Sequence, residues 1–111
     1  MSKSTVKVVN IDLAPNAKFI LARLPDGAVV VWSGAQYEFH KDIAMALTRA
    51  LDNAWLAWRE LRILGGGWIS FDKTTKTIRL WGSSGAYDAE PDRAVTADLI
   101  KRHYPDHDVT F

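Results

Sequence analysis

A histidine at position 40 stands where a strand-like run gives way to a helical one. Upstream, Ala28-Val29-Val30-Val31-Trp32 reads as a strand. From Asp42 onward, Ile43, Leu47, Ala50, Leu51, Ala54 and Trp58 recur at helical spacing. A helix N-terminus carries unpaired backbone N–H groups and the positive end of the macrodipole, which together seat an anion. The same partial charge disfavours imidazolium, so His40 is expected to be neutral and basic near pH 7. A neutral base beside an anion seat is the least equipment that hydrolysis of a phosphorylated substrate needs. A second element of such a site is the small-residue loop Gly82-Ser83-Ser84-Gly85-Ala86-Tyr87. It can form a concave nest of backbone N–H groups around phosphate oxygens, helped by the Ser84 hydroxyl. Taken singly, these features have simpler readings. His40 would be a capping or solvated residue, the loop an ordinary turn, and Lys18 a strand-start lysine with a solvated head.

Two other constellations carry no chemistry. His103 and His107 are four apart, but Pro105 between them breaks the helix that would align them as metal ligands. The triple glycine Gly65-Gly66-Gly67 lacks the Lys-Ser/Thr of a phosphate-binding loop and is expected to follow a helix, not a strand. The chain contains no cysteine, which excludes thiol catalysis, disulfides and thiolate metal sites. No metal and no cofactor are therefore expected.

The elements that must position these residues are legible in outline. Residues 6–9 read as a first strand and residues 18–24 as a buried one. Pro25-Asp26-Gly27 turns the chain into residues 28–33, giving an antiparallel hairpin. The helix beginning near His40 is expected to run to about Leu61, with the glycines at 65–67 as its stop. Trp68-Ile69-Ser70-Phe71 and Thr77-Ile78-Arg79-Leu80-Trp81 form a second hairpin around residues 72–76. Thr96 is expected to cap a short helix through Arg102, and residues 108–111 offer a last strand. The whole is one α+β domain over residues 1–111, with a mixed or antiparallel sheet of about six strands, one long helix and one short.

Composition bounds the function. At 111 residues, 48% of them hydrophobic and 24% charged, the chain suits a soluble globular domain. A formal net charge of +1 and the lack of any Lys/Arg stripe argue against nucleic acid or anionic membrane as a partner. No apolar run approaches membrane-spanning length, and the N-terminus lacks the apolar stretch of a signal peptide, so a cytoplasmic location is expected. Five tryptophans exceed the usual share. Trp55 and Trp58 read as helix core, whereas Trp32, Trp68 and Trp81 fall in strands.

Four segments stand in order along the chain: Tyr37-Glu38-Phe39-His40-Lys41-Asp42-Ile43, Leu64-Gly65-Gly66-Gly67-Trp68-Ile69-Ser70, Gly82-Ser83-Ser84-Gly85-Ala86-Tyr87 and Lys101-Arg102-His103-Tyr104-Pro105-Asp106-His107-Asp108-Val109-Thr110-Phe111. Together they resemble the Janus/Ocnus family, which includes a metal-independent protein histidine phosphatase. The resemblance implies that His40 is catalytic, as general base or as nucleophile. It implies that Lys18 reaches the phosphate, and that Ser84, Gly85 and Ala86 form the loop that holds the phosphoryl oxygens. The activity implied is hydrolysis of the P–N bond of phosphohistidine on a protein, or of a small phosphoramidate, by a monomer.

The chain departs from the family at two arginines, replaced here by Trp32 and Trp68. Such a pocket loses positive charge and gains π-rich surface. The two tryptophans are either packing substitutions at its rim or shape it for a flat or cationic leaving group. Arg23, five residues along a strand from Lys18, should face away from it. Two readings from other classes stand beside the phosphatase. One is a non-catalytic module binding phosphate or phosphoprotein through a retained cradle; the other is an interaction domain that keeps only the fold.

Overall fold

The apolar run 19–22 becomes the centre of a sheet that is buried on both faces. The computed structural model of the chain describes residues 6–53 and 61–111. Its elements are β1 (Val9–Asn10), β2 (Ala17–Arg23), β3 (Val29–Gly34), α1 (His40–Asn53), β4 (Arg62–Asp72), β5 (Thr77–Trp81), α2 (Arg93–His103) and β6 (Asp108–Thr110). One mixed sheet runs in the order β1-β3-β2-β4-β5-β6. Its inner pairings are antiparallel, and the two edge strands β1 and β6 join in parallel. The architecture is the α+β class expected.

Each face of the sheet carries one helix. On one side Ile43, Leu47 and Leu51 of α1 pack with Ile20, Ala22, Val30 and Trp32. On the other, Ala97 and Ile100 of α2 pack with Phe19, Leu21, Val31, Ile69, Ile78 and Leu80. Successive residues of β2 feed opposite cores, which is why its sequence is continuously apolar and does not alternate. β5 does alternate: Ile78 and Leu80 are buried against α2, while Arg79 and Trp81 are exposed on the α1 side.

Both hairpins form where the turn residues place them. β2 and β3 close at Arg23 and Val29, with Gly27 at φ +91°. β4 and β5 close at Asp72 and Thr77. Three expectations need correction. The first strand is Val9–Asn10, later than residues 6–9. The second helix begins at Arg93 because Asp92, not Thr96, caps it: the Asp92 carboxylate accepts from the Ala94 N–H at 3.0 Å. The third concerns Gly65-Gly66-Gly67, which end no helix but lie inside β4. The long helix is described as far as Asn53. Residues 54–60, including Trp55 and Trp58, lie outside the described residues.

The reason for the glycines is crowding. A Cβ on Gly65 would stand 2.3 Å from the Glu90 backbone N, and one on Gly66 would stand 2.4 Å from the Phe19 carbonyl. Gly65 also holds φ +153°, which side-chain-bearing residues rarely adopt. Glycine here lets β4 pass between the loop at Glu90 and the central strand β2.

Candidate functional site

His40 is the first residue of α1 and is only 6% exposed, its ring turned down onto β4. Its Nε2–H donates to the Gly67 carbonyl at 2.8 Å. A neutral imidazole has one N–H, so this bond fixes the tautomer and leaves the lone pair on Nδ1. Burial is the largest influence on the ring and lowers its pKa below the ordinary 6.5. The bond to Gly67 opposes that shift, and the Lys18 ammonium adds a smaller downward push. His40 is therefore neutral at physiological pH.

The head of α1 supplies donors as well. Asp42, in the first turn, accepts from the Phe39 N–H at 3.1 Å and locks the entry to the helix. The backbone N–H groups of His40 and Lys41 have no acceptor among the described residues. They border an open cleft of about 480 Å³. His40 and Lys41 line it from the helix and Phe39 from the residue before it, Lys18 and Trp68 from the sheet, and Ser83, Gly85 and Ala86 from the loop after β5. No acidic side chain is among these lining residues, so the cleft is cationic.

Lys18 is set by sheet register. It lies opposite Trp68 on β4, and its Nζ stands 4.3 Å from the Trp68 ring centroid, a cation–π contact. The ammonium is thus held over an indole at the cleft wall instead of trailing into solvent. Trp68 in turn stacks on Trp81 across the β4–β5 pair, with centroids 5.4 Å apart and planes 16° apart.

The loop residues divide. Gly85 and Ala86 line the cleft, but Ser84 is 1% exposed and lies beneath the turn. Its Oγ accepts from the Ala86 and Tyr87 N–H groups, at 3.1 Å each. The Ser84 hydroxyl therefore organises the loop, and the Ala86 amide is engaged within it. Gly85 retains a backbone N–H with no acceptor among the described residues. The loop is tied to β4 by the Gly66 N–H, which donates to the Asp88 carbonyl at 2.9 Å. Behind it the buried Glu90 carboxylate pairs with Arg93 at 2.6 Å and accepts from the Thr96 hydroxyl at 2.5 Å. That cluster backs the strand whose Gly67 carbonyl orients His40.

Trp32 does not reach the cleft. It sits opposite Ile20, two pairs inward from Lys18, in the α1 core, and its indole N–H donates to the Lys7 carbonyl at 2.8 Å. A pocket-shaping role fits Trp68 alone of the two. Arg23 is exposed on the face opposite Lys18, as its spacing requires. His103 and His107 both pack edge-on against Tyr104, and Pro105 follows the end of α2.

Several site residues escaped the sequence reading. Lys41 adjoins His40 and was findable as a first-turn lysine. The partnership of Trp81 with Trp68 follows from counting back from the turn at residues 72–77. The Gly67 carbonyl has no sequence signature, because a backbone acceptor is placed by the fold alone.

Among the described residues no helix is long and apolar enough to cross a membrane. The comparison with curated proteins found no match. The family model described as Janus/Ocnus family (Ocnus) matches residues 3–108.

Proposed function

This chain belongs to the Janus/Ocnus family over almost its whole length, and from that premise we propose that it hydrolyses the P–N bond of phosphohistidine or a related phosphoramidate without a metal. In this reading it acts as a cytoplasmic monomer. The observation that carries the reading is the neutral His40 ring, its Nε2–H spent on Gly67 and its Nδ1 free, at a cleft whose charged lining groups are Lys18 and Lys41. A pure phosphate-binding module has no need of a base held in one tautomer.

The chemistry asks for one bond made, one broken and one proton moved. In the first route, Nδ1 takes a proton from water as the water oxygen bonds to phosphorus and the P–N bond breaks. The imidazolium so formed can return the proton to the departing nitrogen. In the second, Nδ1 itself bonds to phosphorus as the substrate P–N bond breaks and the departing nitrogen takes a proton from solvent; a water oxygen then bonds to phosphorus as the Nδ1–P bond breaks, giving up a proton to solvent and releasing phosphate. Both begin at the same nitrogen. Transfer through a loose transition state depends on positioning and charge neutralisation. Lys18, Lys41 and the free N–H groups at the head of α1 and at Gly85 supply these.

The test is phosphate release from phosphoramidate and from a phosphohistidine peptide with chelator present, comparing the wild type with His40→Ala. The expected outcome is metal-independent turnover that falls by at least roughly a hundredfold in the variant. A phosphohistidine side chain trapped at position 40 by rapid quenching would select the second route. Absence of turnover, with phosphopeptide still bound, would transfer the weight to the binding module.

A further inference from the structure

Lys18, Trp68 and Trp81 occupy one row across three neighbouring strands, β2, β4 and β5. Because β4 lies between the other two, Lys18 and Trp81 approach Trp68 from opposite sides. Both faces of the inner indole are thus used within the protein. The outer indole has no such partner beyond it, since β6 pairs with β5 only from Thr77 to Arg79. Trp81 is 37% exposed, yet its orientation is fixed. Its Nε1–H donates to the Ser70 hydroxyl at 2.8 Å, and that hydroxyl donates to the Asn16 side chain at 2.7 Å. An exposed indole held by a stack and a hydrogen-bond chain loses little freedom when something binds it.

The surroundings point in the same direction. α1 packs on β2 and β3, while β5 turns its exposed residues, Arg79 and Trp81, to the same face of the sheet. Arg79 makes no ion pair or hydrogen bond among the described residues apart from its strand pairing. A strip carrying a fixed indole and a free guanidinium therefore leaves the cleft wall at Trp68 and runs outward along β5. Lys18 and Trp81 are two strand spacings apart, about 10 Å. An extended polypeptide crosses that distance in about three residues.

Resting on the reading above, we infer that Trp81 and Arg79 form a docking strip for the polypeptide beside the phosphorylated side chain, which favours a phosphorylated peptide over a free small phosphoramidate. The occupant follows from continuity and charge. A small phosphoramidate bound at Lys18 and His40 is too short to reach Trp81 as well. A chain that carries its phosphoryl group into the cleft must lie over the rim, where a fixed aromatic and a cation await it. Exposed tryptophan and arginine are among the residue types that dominate binding energy at protein interfaces, and Trp81 is held in place besides.

The experiment compares Trp81→Ala with the wild type on two substrates, a short phosphohistidine peptide and phosphoramidate. The ratio of kcat/KM for the peptide to that for phosphoramidate should fall at least roughly tenfold in the variant. Trp81→Phe, which keeps an aromatic surface, should recover part of the ratio. An unchanged ratio overturns the strip while leaving the hydrolase intact. If the wild type turns over neither substrate, the hydrolase reading fails, and a peptide bearing a non-hydrolysable phosphonate decides the strip by titration. A shifted Trp81 indole N–H resonance, with roughly tenfold weaker binding to Trp81→Ala, upholds it. Equal binding by both proteins, or none by either, overturns it.

Discussion

At the scale of single residues, the site is governed by one proton on one imidazole. The Gly67 carbonyl holds that proton on Nε2, and burial with help from Lys18 lowers the pKa below 6.5. If Nδ1 acts as base or nucleophile, only the neutral ring is active. The logarithm of kcat/KM should then rise with pH up to the lowered His40 pKa and stay level through neutrality. Replacing Lys18 by Gln removes a like charge, so the His40 pKa should rise and the acid limb move to higher pH. The plateau should fall on the order of a hundredfold with the loss of that cation. Following the His40 ring resonances through a pH titration checks the first effect without any turnover, and an unmoved midpoint would refute the coupling. The same shift has a stability consequence. Between the lowered pKa and 6.5 the unfolded chain binds a proton at position 40 that the folded chain refuses. Folding stability contributed by this group is therefore full above 6.5 and declines as pH falls through that window.

At the scale of elements, the site depends on how closely β4 passes its neighbours. Gly66 faces the Phe19 carbonyl, and an added Cβ would also stand 3.1 Å from His40 Cδ2. Gly66→Ala should therefore cost about 2 kcal/mol or more and displace the imidazole from Gly67. Gly85 has open space around it, so Gly85→Ala should change stability by less than about 0.5 kcal/mol. Urea unfolding of the two variants makes the comparison, and equal losses would show that crowding is not what the glycines relieve. This contrast also marks how far the sequence could be read. Hairpins and the start of α1 were legible because turn chemistry and periodicity are local. Gly65-Gly66-Gly67 read as a helix stop in the sequence, since glycine that ends a helix and glycine that squeezes a strand are identical in one dimension. What distinguishes them here is contact with Glu90 and Phe19, both far along the chain. Ser84 shows the same limit: its residue type suits a phosphate ligand, yet the turn folds its oxygen inward onto the Ala86 and Tyr87 amides.

At the scale of the whole molecule, two cores share one sheet, and His40 hangs from the one beneath α1. That core explains why the two tryptophans set against the family's arginines are unequal. Their residue type and aligned positions say nothing of direction; the register does, placing Trp32 opposite Ile20 and Trp68 opposite Lys18. Trp32 is 8% exposed among Ile20, Val30 and Ile43, and also ties down the segment at Lys7. Trp32→Arg would remove a large apolar side chain and bring an unpaired charge into its place, which should cost at least about 3 kcal/mol. Trp68→Arg gives up one stacked pair and the seat of Lys18 at the cleft wall, and should cost about 1 kcal/mol. Denaturant midpoints with unchanged slopes separate the two. The effect on the proposed hydrolysis then follows from the architecture. Trp32→Arg should lose turnover in step with its unfolded fraction, because α1 and His40 leave together. Trp68→Arg should stay folded and change its preference between peptide and phosphoramidate. A Trp32→Arg protein as stable as Trp68→Arg would mean that α1 does not rest on the sheet through this core, and that the position of His40 has another support.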